Sequence, residues 1–334
     1  MLRAGCGDIH LSGYQSDLLT KDGLTRRLSA IMHSLRTIGE YCRSNSIQFF
    51  EIWGDLINDK DLIYTVAQTA FKDFLVEYSD LEFIIISGNH DLSSTGETQV
   101  SAISVFDGYP NVTVVNDILK QDNRIYLAYS HQIFDTLKQL EASDILISHF
   151  GINEAMLQSG LSISTNVRLA DLKKFKLVLL GHYHKPQDLN NDCTRLYYSG
   201  NITHLTWNDK NEQKRFIVYD DESLEVTSIP LTGFPEFKEF VINTKEESIS
   251  VLEEAEKARN AGHYVRVKKL IDGELDAPSD ILVIEQQKEV DVTDRGVDMT
   301  QTTDVKMRNY MKIKDIPEEE YDEYISVLQE HNIV

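Results

Sequence analysis

The sequence has few cysteines and no long apolar run. Its three cysteines, Cys6, Cys42 and Cys193, are odd in number and widely spaced, which argues against a disulfide framework and against a Cys-x-x-Cys metal site. No apolar run approaches the roughly 20 residues that cross a bilayer. The first polar motif follows Met1 so closely that no signal peptide fits before it. We therefore expect a cytoplasmic protein that does not insert into a membrane.

Basic residues are also scarce. The chain has 33 Lys and Arg against 54 Asp and Glu, which gives a net charge of −21. Domains that hold nucleic acid by bulk electrostatics are usually basic, so the charge argues against that class. Nucleic acid stays open as a substrate, because bound cations, a partner subunit or a local basic patch would supply phosphate contacts. The basic candidates are Arg26, Arg27, Arg168, Lys173, Lys174, Lys176 and Lys185, and a solvated surface explains the cluster at 168–176 equally well.

The remaining composition supports a folded α/β protein. With 334 residues and 41% apolar content, the chain is long enough for one large domain and a smaller one. Apolar periodicity predicts helices over residues 24–42, 64–78 and 133–141. Short apolar runs between them predict strands that end near residues 6, 53, 86, 147 and 180. Beyond residue 181 the pattern is β-rich, and we expect its strands at 195–199, 215–219 and 224–229 to form a second sheet packed on the first.

A Pro-rich segment at residues 230–235 marks the best domain boundary. It predicts a first domain over residues 1–230 and a small α+β module over 231–289. Residues 290–315 are polar, acidic and without a clear period, which is typical of a linker. Residues 316–334 predict an amphipathic terminal helix, which either binds in a partner's groove or packs on its own domain.

Five short motifs place metal-binding side chains directly after apolar runs. In open α/β sheets the carboxyl ends of the strands meet at one edge, so these side chains are expected to pool there. A plain turn explains one such motif alone, but the whole ordered set is hard to obtain by chance. Asp, Asn and His together suit two divalent cations, the usual device for hydrolysing phosphate esters. The motifs are Gly7-Asp8-Ile9-His10, Gly54-Asp55, Gly88-Asn89-His90-Asp91, Ser148-His149 and Gly181-His182-Tyr183-His184.

This ordered set resembles the calcineurin-like metallophosphoesterase superfamily and, within it, the SbcD-type (MRE-type) DNA repair nucleases, including their short bacteriophage forms. Three segments carry the match to the repair nucleases: Ile9-His10-Leu11, the run from Leu180 to Gln187, and Tyr198-Ser199-Gly200-Asn201 followed by Arg215–Tyr219. The resemblance covers about residues 1–230. It implies a four-layer αββα fold, with two packed β-sheets flanked by helices, followed by a smaller C-terminal α+β module and a terminal helix.

The resemblance also implies roles for the motif residues. One metal would be held by Asp8, His10 and His184, the other by Asn89, His149 and His182, and Asp55 would bridge them. This oxygen and nitrogen set suits Mn²⁺, with Mg²⁺, Fe and Zn as alternatives. A metal-activated water would attack phosphorus, while His90 would stabilise the phosphate or protonate the leaving 3′ oxygen. Asp91 would orient His90, or it is a plain turn carboxylate.

Substrate contacts are predicted less sharply. Asn58 stands three residues after Asp55, where related repair nucleases often carry His, so a proton-transferring group is missing there unless Asp59 replaces it. Lys185 and His204 are further candidates that would line the cleft. Tyr14 would approach the DNA backbone, although packing is the commoner role of an aromatic loop residue.

Three functions are compatible with these residues. The first is a Mn-dependent DNA nuclease subunit, an exonuclease with or without single-strand endonuclease activity, in an SbcCD-like recombination and repair complex. The resemblance implies a homodimer and an SbcC-like coiled-coil ATPase partner, in the host cytoplasm if a phage encodes the chain. The second is a stand-alone binuclear phosphatase or phosphodiesterase on small molecules or phosphoproteins, which better explains the negative charge. The third, a non-catalytic scaffold, is disfavoured because every ligand position and His90 are filled.

Overall fold

The computed structural model describes residues 1–13, 19–93, 100–157, 160, 162, 164–271 and 281–285. The chain divides into two compact units. The first contains Met1–Lys238 and Ala261–Tyr264, and the second contains Glu239–Asn260 and the described residues from Val265 onward. Within the described part of the chain, no helix is long and apolar enough to span a bilayer.

The elements of the first unit alternate between helix and strand in its first third and are mostly strands afterwards. Three short 3₁₀ helices lie at Ala102–Phe106, Leu169–Leu172 and Trp207–Asp209. In chain order the strands and α-helices are β1 (Leu2–Cys6), α1 (Arg26–Ser44), β2 (Phe49–Trp53), α2 (Thr65–Glu77), β3 (Glu82–Ile86), β4 (Val112–Val115), β5 (Ile118–Gln121), β6 (Arg124–Leu127), α3 (Ile133–Gln139), β7 (Ser143–His149), β8 (Phe175–Gly181), β9 (Gln187–Asn190), β10 (Arg195–Tyr198), β11 (Arg215–Asp220) and β12 (Val226–Pro230).

Two six-stranded sheets pack face to face in this unit. The first has the order β12-β11-β1-β2-β3-β4 and the second has the order β5-β6-β7-β8-β10-β9. Buried side chains from both sheets, including Trp53, Ile86, Ile147 and Leu179, form the layer between them. Helices α1 and α2 pack on the outer face of the first sheet, and α3 packs on the second. The predicted two-sheet αββα fold is confirmed.

The sequence explains why the early elements form where they do. In α1 the residues Leu28, Ile31, Leu35 and Ile38 recur at helical spacing and are fully buried. Thr25 caps this helix, because its hydroxyl oxygen accepts a hydrogen bond from the Leu28 amide at 3.1 Å. The parallel strands β2 and β3 are buried on both faces, which explains the apolar run of β3 and the apolar residues that flank Glu51 in β2.

The expected strand composition of the second sheet was wrong in two respects. Strands β11 and β12 belong to the first sheet, where β11 pairs antiparallel with β1, because the chain returns to that sheet after β10. Strands β5 and β9 were not predicted. Both are four-residue edge strands with polar residues, and an exposed edge tolerates such a sequence.

The second unit is a small α+β body. Its sheet has the order β13-β14-β15, formed by β13 (Phe237–Ile242), β14 (Tyr264–Lys269) and β15 (Leu282–Glu285), with α4 (Ser248–Asn260) beside it. A small core of Ile242, Ala255, Val267 and Ile281 holds these elements together. The predicted linker over residues 290–315 and the predicted helix over 316–334 lie outside the described residues.

Candidate metal centre

The carboxyl ends of β1, β2 and β3 from the first sheet meet those of β7 and β8 from the second. The Asp8 amide donates to the Gly54 carbonyl at 3.1 Å, and the Tyr129 amide donates to the Ser87 carbonyl at 2.9 Å. A side chain at Gly181 would put its Cβ 2.2 Å from the Trp53 carbonyl oxygen. Only glycine therefore allows β8 to approach β2 this closely, and the two sheets contribute to one site.

Four residues at this edge have a left-handed backbone. The φ angles are 54° at Asp8, 53° at His10, 51° at Asp55 and 103° at His182. Such angles are uncommon outside glycine, and each costs about 1–3 kcal/mol, so they persist where the surrounding structure enforces them. Their concentration at one edge of the sheets indicates a functional site.

The first group of candidate ligands, hereafter the Asp8 site, consists of Asp8, His10 and His184. The Nε2 atoms of His10 and His184 are 2.9 Å apart, and the His184 Nε2 atom is 3.9 Å from an Asp8 carboxylate oxygen. One ligand atom from each of the three residues lies within 4.8 Å of the others. A single cation can therefore be reached by all three.

The second group, hereafter the Asn89 site, consists of Asn89, His149 and His182. The Asn89 side-chain oxygen lies 2.9 Å from His182 Nδ1 and 3.1 Å from His149 Nε2. His149 Nδ1 is 2.8 Å from the Trp53 carbonyl oxygen, which can only accept, so Nδ1 carries the proton and Nε2 faces the site. This contact fixes the tautomer that a metal ligand needs.

Asp55 lies between the two sites. One of its carboxylate oxygens is 3.3 Å from His149 Nε2 and 3.8 Å from His10 Nε2. The other oxygen accepts a hydrogen bond from the His90 amide at 2.8 Å. The geometry therefore places Asp55 where a bridging ligand would stand.

The electrostatics of the cluster fit bound cations. Asp8 and Asp55 are buried, and the ion pairs that they form among the described residues are all with histidines. Burial raises the pKa of Asp8. Burial also acts to raise the pKa of Asp55, but the nearby His149 and His10 outweigh it and hold that pKa well below its usual range. Buried charges are paired or bind metals, and two carboxylates that face histidines in this way are suited to bind a cation. The oxygen and nitrogen donors suit Mn²⁺, Fe or Zn.

The pKa values of the histidines are also shifted by burial and by neighbouring charges. Burial lowers the pKa of His182 to about 3, with the neighbouring His149 acting in the same direction. Burial also acts to lower the pKa of His149, but Asp55 raises it to about 9. A cation that neutralised Asp55 would remove this effect and favour the neutral imidazole that binds metal.

His90 stands beside the Asp8 site. Its ring is in edge contact with His10, at a centroid distance of 4.9 Å. Its Nδ1 atom is 2.7 Å from the Asn58 carbonyl oxygen, so Nδ1 donates to that carbonyl. The ring is therefore oriented by the main chain of the loop that follows Asp55.

Asp91 contacts the backbone instead of the His90 ring. Its carboxylate, which is fully buried, accepts hydrogen bonds from the amides of Ile57 at 2.8 Å, Gly88 at 2.8 Å and Leu56 at 3.3 Å. Burial and the nearby Asp55 raise the pKa of Asp91 to about 7, and the backbone donors oppose that rise. These contacts join the loop that carries Asp55 to the loop that carries Asn89, and they favour a positioning role.

Arg27 is the basic candidate that the structure brings to this edge. Its Nη2 atom donates to the Asn58 side-chain oxygen at 3.0 Å. Burial lowers the pKa of His10, and the charge of Arg27 acts in the same direction. In the cluster at 168–176, Lys174 donates to the Leu140 carbonyl at 2.6 Å and Lys176 pairs with an Asp144 oxygen at 2.6 Å. These two lysines are used within the fold.

The remaining predicted substrate contacts are His204, Lys185 and Tyr14. His204 is buried, its Nδ1 accepts from the Phe237 amide at 3.1 Å, and its Nε2 donates to the Glu212 carbonyl at 3.0 Å. Both ring nitrogens serve the fold, so the suggested substrate contact at His204 is replaced by a structural role. Lys185 directly follows His184 and is partly exposed. Tyr14 lies outside the described residues.

The sequence reasoning missed Tyr129. Its ring stacks on His182 at a centroid distance of 6.5 Å and meets His149 edge-on at 6.4 Å. Tyr129 follows shortly after the end of β6, as the recognised motifs follow their strands. That position was the available signal, and an aromatic residue there did not fit the search for metal ligands.

Comparison with known proteins agrees with this geometry. Residues 1–186 match the calcineurin-like phosphoesterase family. The chain is 28% identical over 236 residues to the SbcD component of the SbcCD nuclease of Staphylococcus epidermidis, a match that covers 58% of this chain and 61% of that protein. It is 25% identical over 290 residues to the DNA double-strand break repair protein Mre11 of Methanocaldococcus jannaschii, which covers 78% of this chain and 76% of that protein.

The chain thus spans less than two thirds of the length of the Staphylococcus relative. A solved dimetal phosphatase from Danio rerio aligns with 70% of the chain and 99% of its own length, at 11% identity and a TM-score of 0.43, a likeness that carries no functional argument.

The family match covers more than half of the chain. The protein therefore belongs to the calcineurin-like phosphoesterases, a family of hydrolases that binds two divalent metal ions.

Proposed function

We propose that this protein is a metal-dependent DNA nuclease component of an SbcCD-like recombination and repair complex. The observation that carries the proposal is the juxtaposition of the Asp8 site, the Asn89 site and Asp55, with His90 at their side. Two relatives, named as an SbcCD nuclease component and an Mre11 repair protein, support DNA as the substrate.

The residues present would hold two divalent cations, one at the Asp8 site and one at the Asn89 site, with Asp55 between them. Bound cations would polarise the phosphate and supply a water that is nucleophilic at neutral pH. Mn²⁺ is the preferred candidate for this sulfur-free set, with Mg²⁺, Fe and Zn as alternatives.

The chain's own side chains would position and protonate the substrate. His90, fixed by the Asn58 carbonyl, would stabilise the phosphate or donate a proton to the leaving 3′ oxygen, which is worth roughly 10²–10⁴-fold in rate. Arg27, fixed by the Asn58 side chain, would present a guanidinium to phosphate oxygens. The Asn58 side chain would thus hold Arg27 in place, while its main-chain carbonyl orients His90, and neither role needs an ionisable group.

The proposed partners rest on the resemblance and on charge. A chain with a net charge of −21 gains little DNA affinity from bulk electrostatics, so an ATPase partner that contacts DNA would supply it. We propose an SbcC-like coiled-coil ATPase that engages residues 316–334, and a homodimer of this chain. The complex would act in the cytoplasm, that of the host if a phage encodes it.

A stand-alone phosphatase or phosphodiesterase is the second candidate. The negative charge favours it, and so do Lys174 and Lys176, which are engaged within the fold. Such an enzyme would need no partner and no DNA contacts.

The test is Mn²⁺-dependent digestion of linear duplex DNA, with a chromogenic phosphodiester and a phosphomonoester measured in parallel. We expect His90→Ala to lower DNA digestion by roughly 10²–10⁴-fold. His33→Ala, which removes an exposed histidine on α1, serves as the matched control and should leave digestion unchanged. Rapid monoester hydrolysis without DNA digestion, with or without an ATPase partner, would contradict the nuclease proposal and favour the phosphatase.

A further inference from the structure

The segment Ser199-Gly200-Asn201 directly follows β10 and contacts the backbone next to Asp8 and at His184. Ser199 and Asn201 are fully buried. The Ser199 hydroxyl oxygen accepts a hydrogen bond from the amide of Gly7, the residue before Asp8, at 2.9 Å. The Asn201 amide donates to the His184 carbonyl at 3.2 Å. This segment therefore fixes the backbone beside two of the three candidate ligands.

A buried ion pair supports the segment from behind. The Asn201 side-chain amide donates to an Asp209 carboxylate oxygen at 3.0 Å. The same oxygen is 2.6 Å from the Lys214 ammonium, which is also 2.6 Å from Glu212 and 3.4 Å from the His184 carbonyl. Both Lys214 and Asp209 are fully buried.

Fold stability does not account well for this ion pair. Removing two charges from water costs several kcal/mol per ion, and apolar residues of similar volume are often as stable or more so. A buried pair whose lysine reaches the carbonyl of His184 is therefore better explained by the geometry that it imposes on that loop.

The two sites differ in how their ligands are held. The Ser199 hydroxyl accepts from Gly7, and Asn201 and Lys214 donate to the His184 carbonyl, so these contacts reach the Asp8 site. The Ser199 amide also donates to the Leu180 carbonyl, two residues before His182, at 3.2 Å. In the Asn89 site, His149 is fixed by the Trp53 carbonyl and the Asn89 loop by Asp91, whereas the His182 amide donates to the Asp8 carboxylate at 3.0 Å and links the two sites. His184 also has a side chain that is 30% exposed, whereas the side chains of Asp8 and His149 are fully buried. The position of His184 therefore depends in part on its backbone contacts.

We propose that Ser199, Asn201, Asp209 and Lys214 are positioning residues that affect the metal affinity of the Asp8 site more strongly than that of the Asn89 site. This inference rests on the proposed metal centre. It implies that the two cations are held with separately adjustable affinities.

The experiment measures Mn²⁺ binding by equilibrium dialysis in two backgrounds, with no substrate present. His182→Ala removes a ligand of the Asn89 site, and His10→Ala removes a ligand of the Asp8 site. Adding Ser199→Ala should weaken the remaining site about 10–100-fold in the His182→Ala background, the usual effect of losing a supporting contact. In the His10→Ala background the same substitution should weaken the affinity by a clearly smaller factor.

Two further variants make the test specific. Thr194→Val removes a buried hydroxyl just before β10, which donates to the Phe175 carbonyl at 2.9 Å, and should not change Mn²⁺ affinity in either background. Lys214→Met should reproduce the effect of Ser199→Ala. If it fails to fold, because Asp209 is left buried without its partner, Ser199→Ala still decides the question.

The outcomes separate this inference from the proposed function. Equal weakening by Ser199→Ala in both backgrounds, or no weakening in either, would overturn the positioning role. Wild-type protein that binds fewer than two Mn²⁺ ions, with no loss in either histidine variant, would overturn the metal centre itself.

Discussion

Asp91→Asn distinguishes a carboxylate that holds two loops together from one that orients His90. The substitution keeps the size of the side chain but removes its charge and one of its two acceptor oxygens. The carboxylate accepts from the amides of Leu56, Ile57 and Gly88, so at least one of these buried amides loses its acceptor.

The cost follows from these contacts. A buried N–H left without an acceptor costs about 1–3 kcal/mol, and hydrogen bonds to a charged group are stronger than those to a neutral amide. We expect a loss of about 2–4 kcal/mol in the free energy of unfolding, a large part of the roughly 5–15 kcal/mol of a typical protein. For a unit of this size, that corresponds to a fall in Tm of about 5–15 °C.

Two measurements on Asp91→Asn check this reasoning. Thermal unfolding in EDTA should show the fall in Tm, because the loss does not depend on bound metal. Mn²⁺ affinity should also fall, because the loops that carry Asp55 and Asn89 are no longer tied together. His90→Ala is the comparison, and it should lower turnover while leaving Tm and Mn²⁺ affinity nearly unchanged. An Asp91→Asn protein with wild-type Tm and metal affinity, but the turnover of His90→Ala, would show that Asp91 acts through the His90 ring.

Three further predictions concern other residues of the site. Asp55→Asn should weaken binding of both Mn²⁺ ions, measured by equilibrium dialysis, because the residue lies between the two sites; loss of only one ion would contradict a bridging position. Gly181→Ala should lower Tm and Mn²⁺ affinity together, because its Cβ would lie 2.2 Å from the Trp53 carbonyl oxygen and 2.8 Å from His149 Nδ1. An unchanged Mn²⁺ affinity would contradict the requirement for glycine at the site. Arg27→Gln should raise KM for a phosphodiester about tenfold, the loss expected for one charge-assisted hydrogen bond, with a small change in kcat; a fall in kcat alone would remove Arg27 from ground-state phosphate binding.

The sequence predicted the elements with strong local signals. The apolar stripe of α1 and the continuous apolar run of β3 were recognisable because packing on one face or both leaves a clear period. The sheet membership of β11 was not predictable, because a strand's own residues do not identify its neighbour. The strands β5 and β9 have only four residues each, too few for a recognisable apolar pattern.

In the candidate site, too, some features were predictable from the sequence and others were not. The candidate ligands were recognisable from their chemistry at strand ends, but the contacts that orient them were not. The Trp53 carbonyl that fixes His149, the amides that bind Asp91 and the Asn58 carbonyl that binds His90 are all backbone groups. Every residue has such groups, so only the folded chain reveals which of them are used.

The convergence of candidate ligands from two sheets would link metal supply to the stability of the first unit. Asp8, Asp55 and Asn89 follow strands of one sheet, whereas His149 and His182 belong to the other, so a complete site exists only when the sheets are packed together. A ligand that binds only the folded form stabilises it by about 2.7 kcal/mol at a hundred times its Kd. Cells that starve this protein of metal would therefore lose folded protein as well as catalysis, and its steady-state level would follow the concentration of free cation.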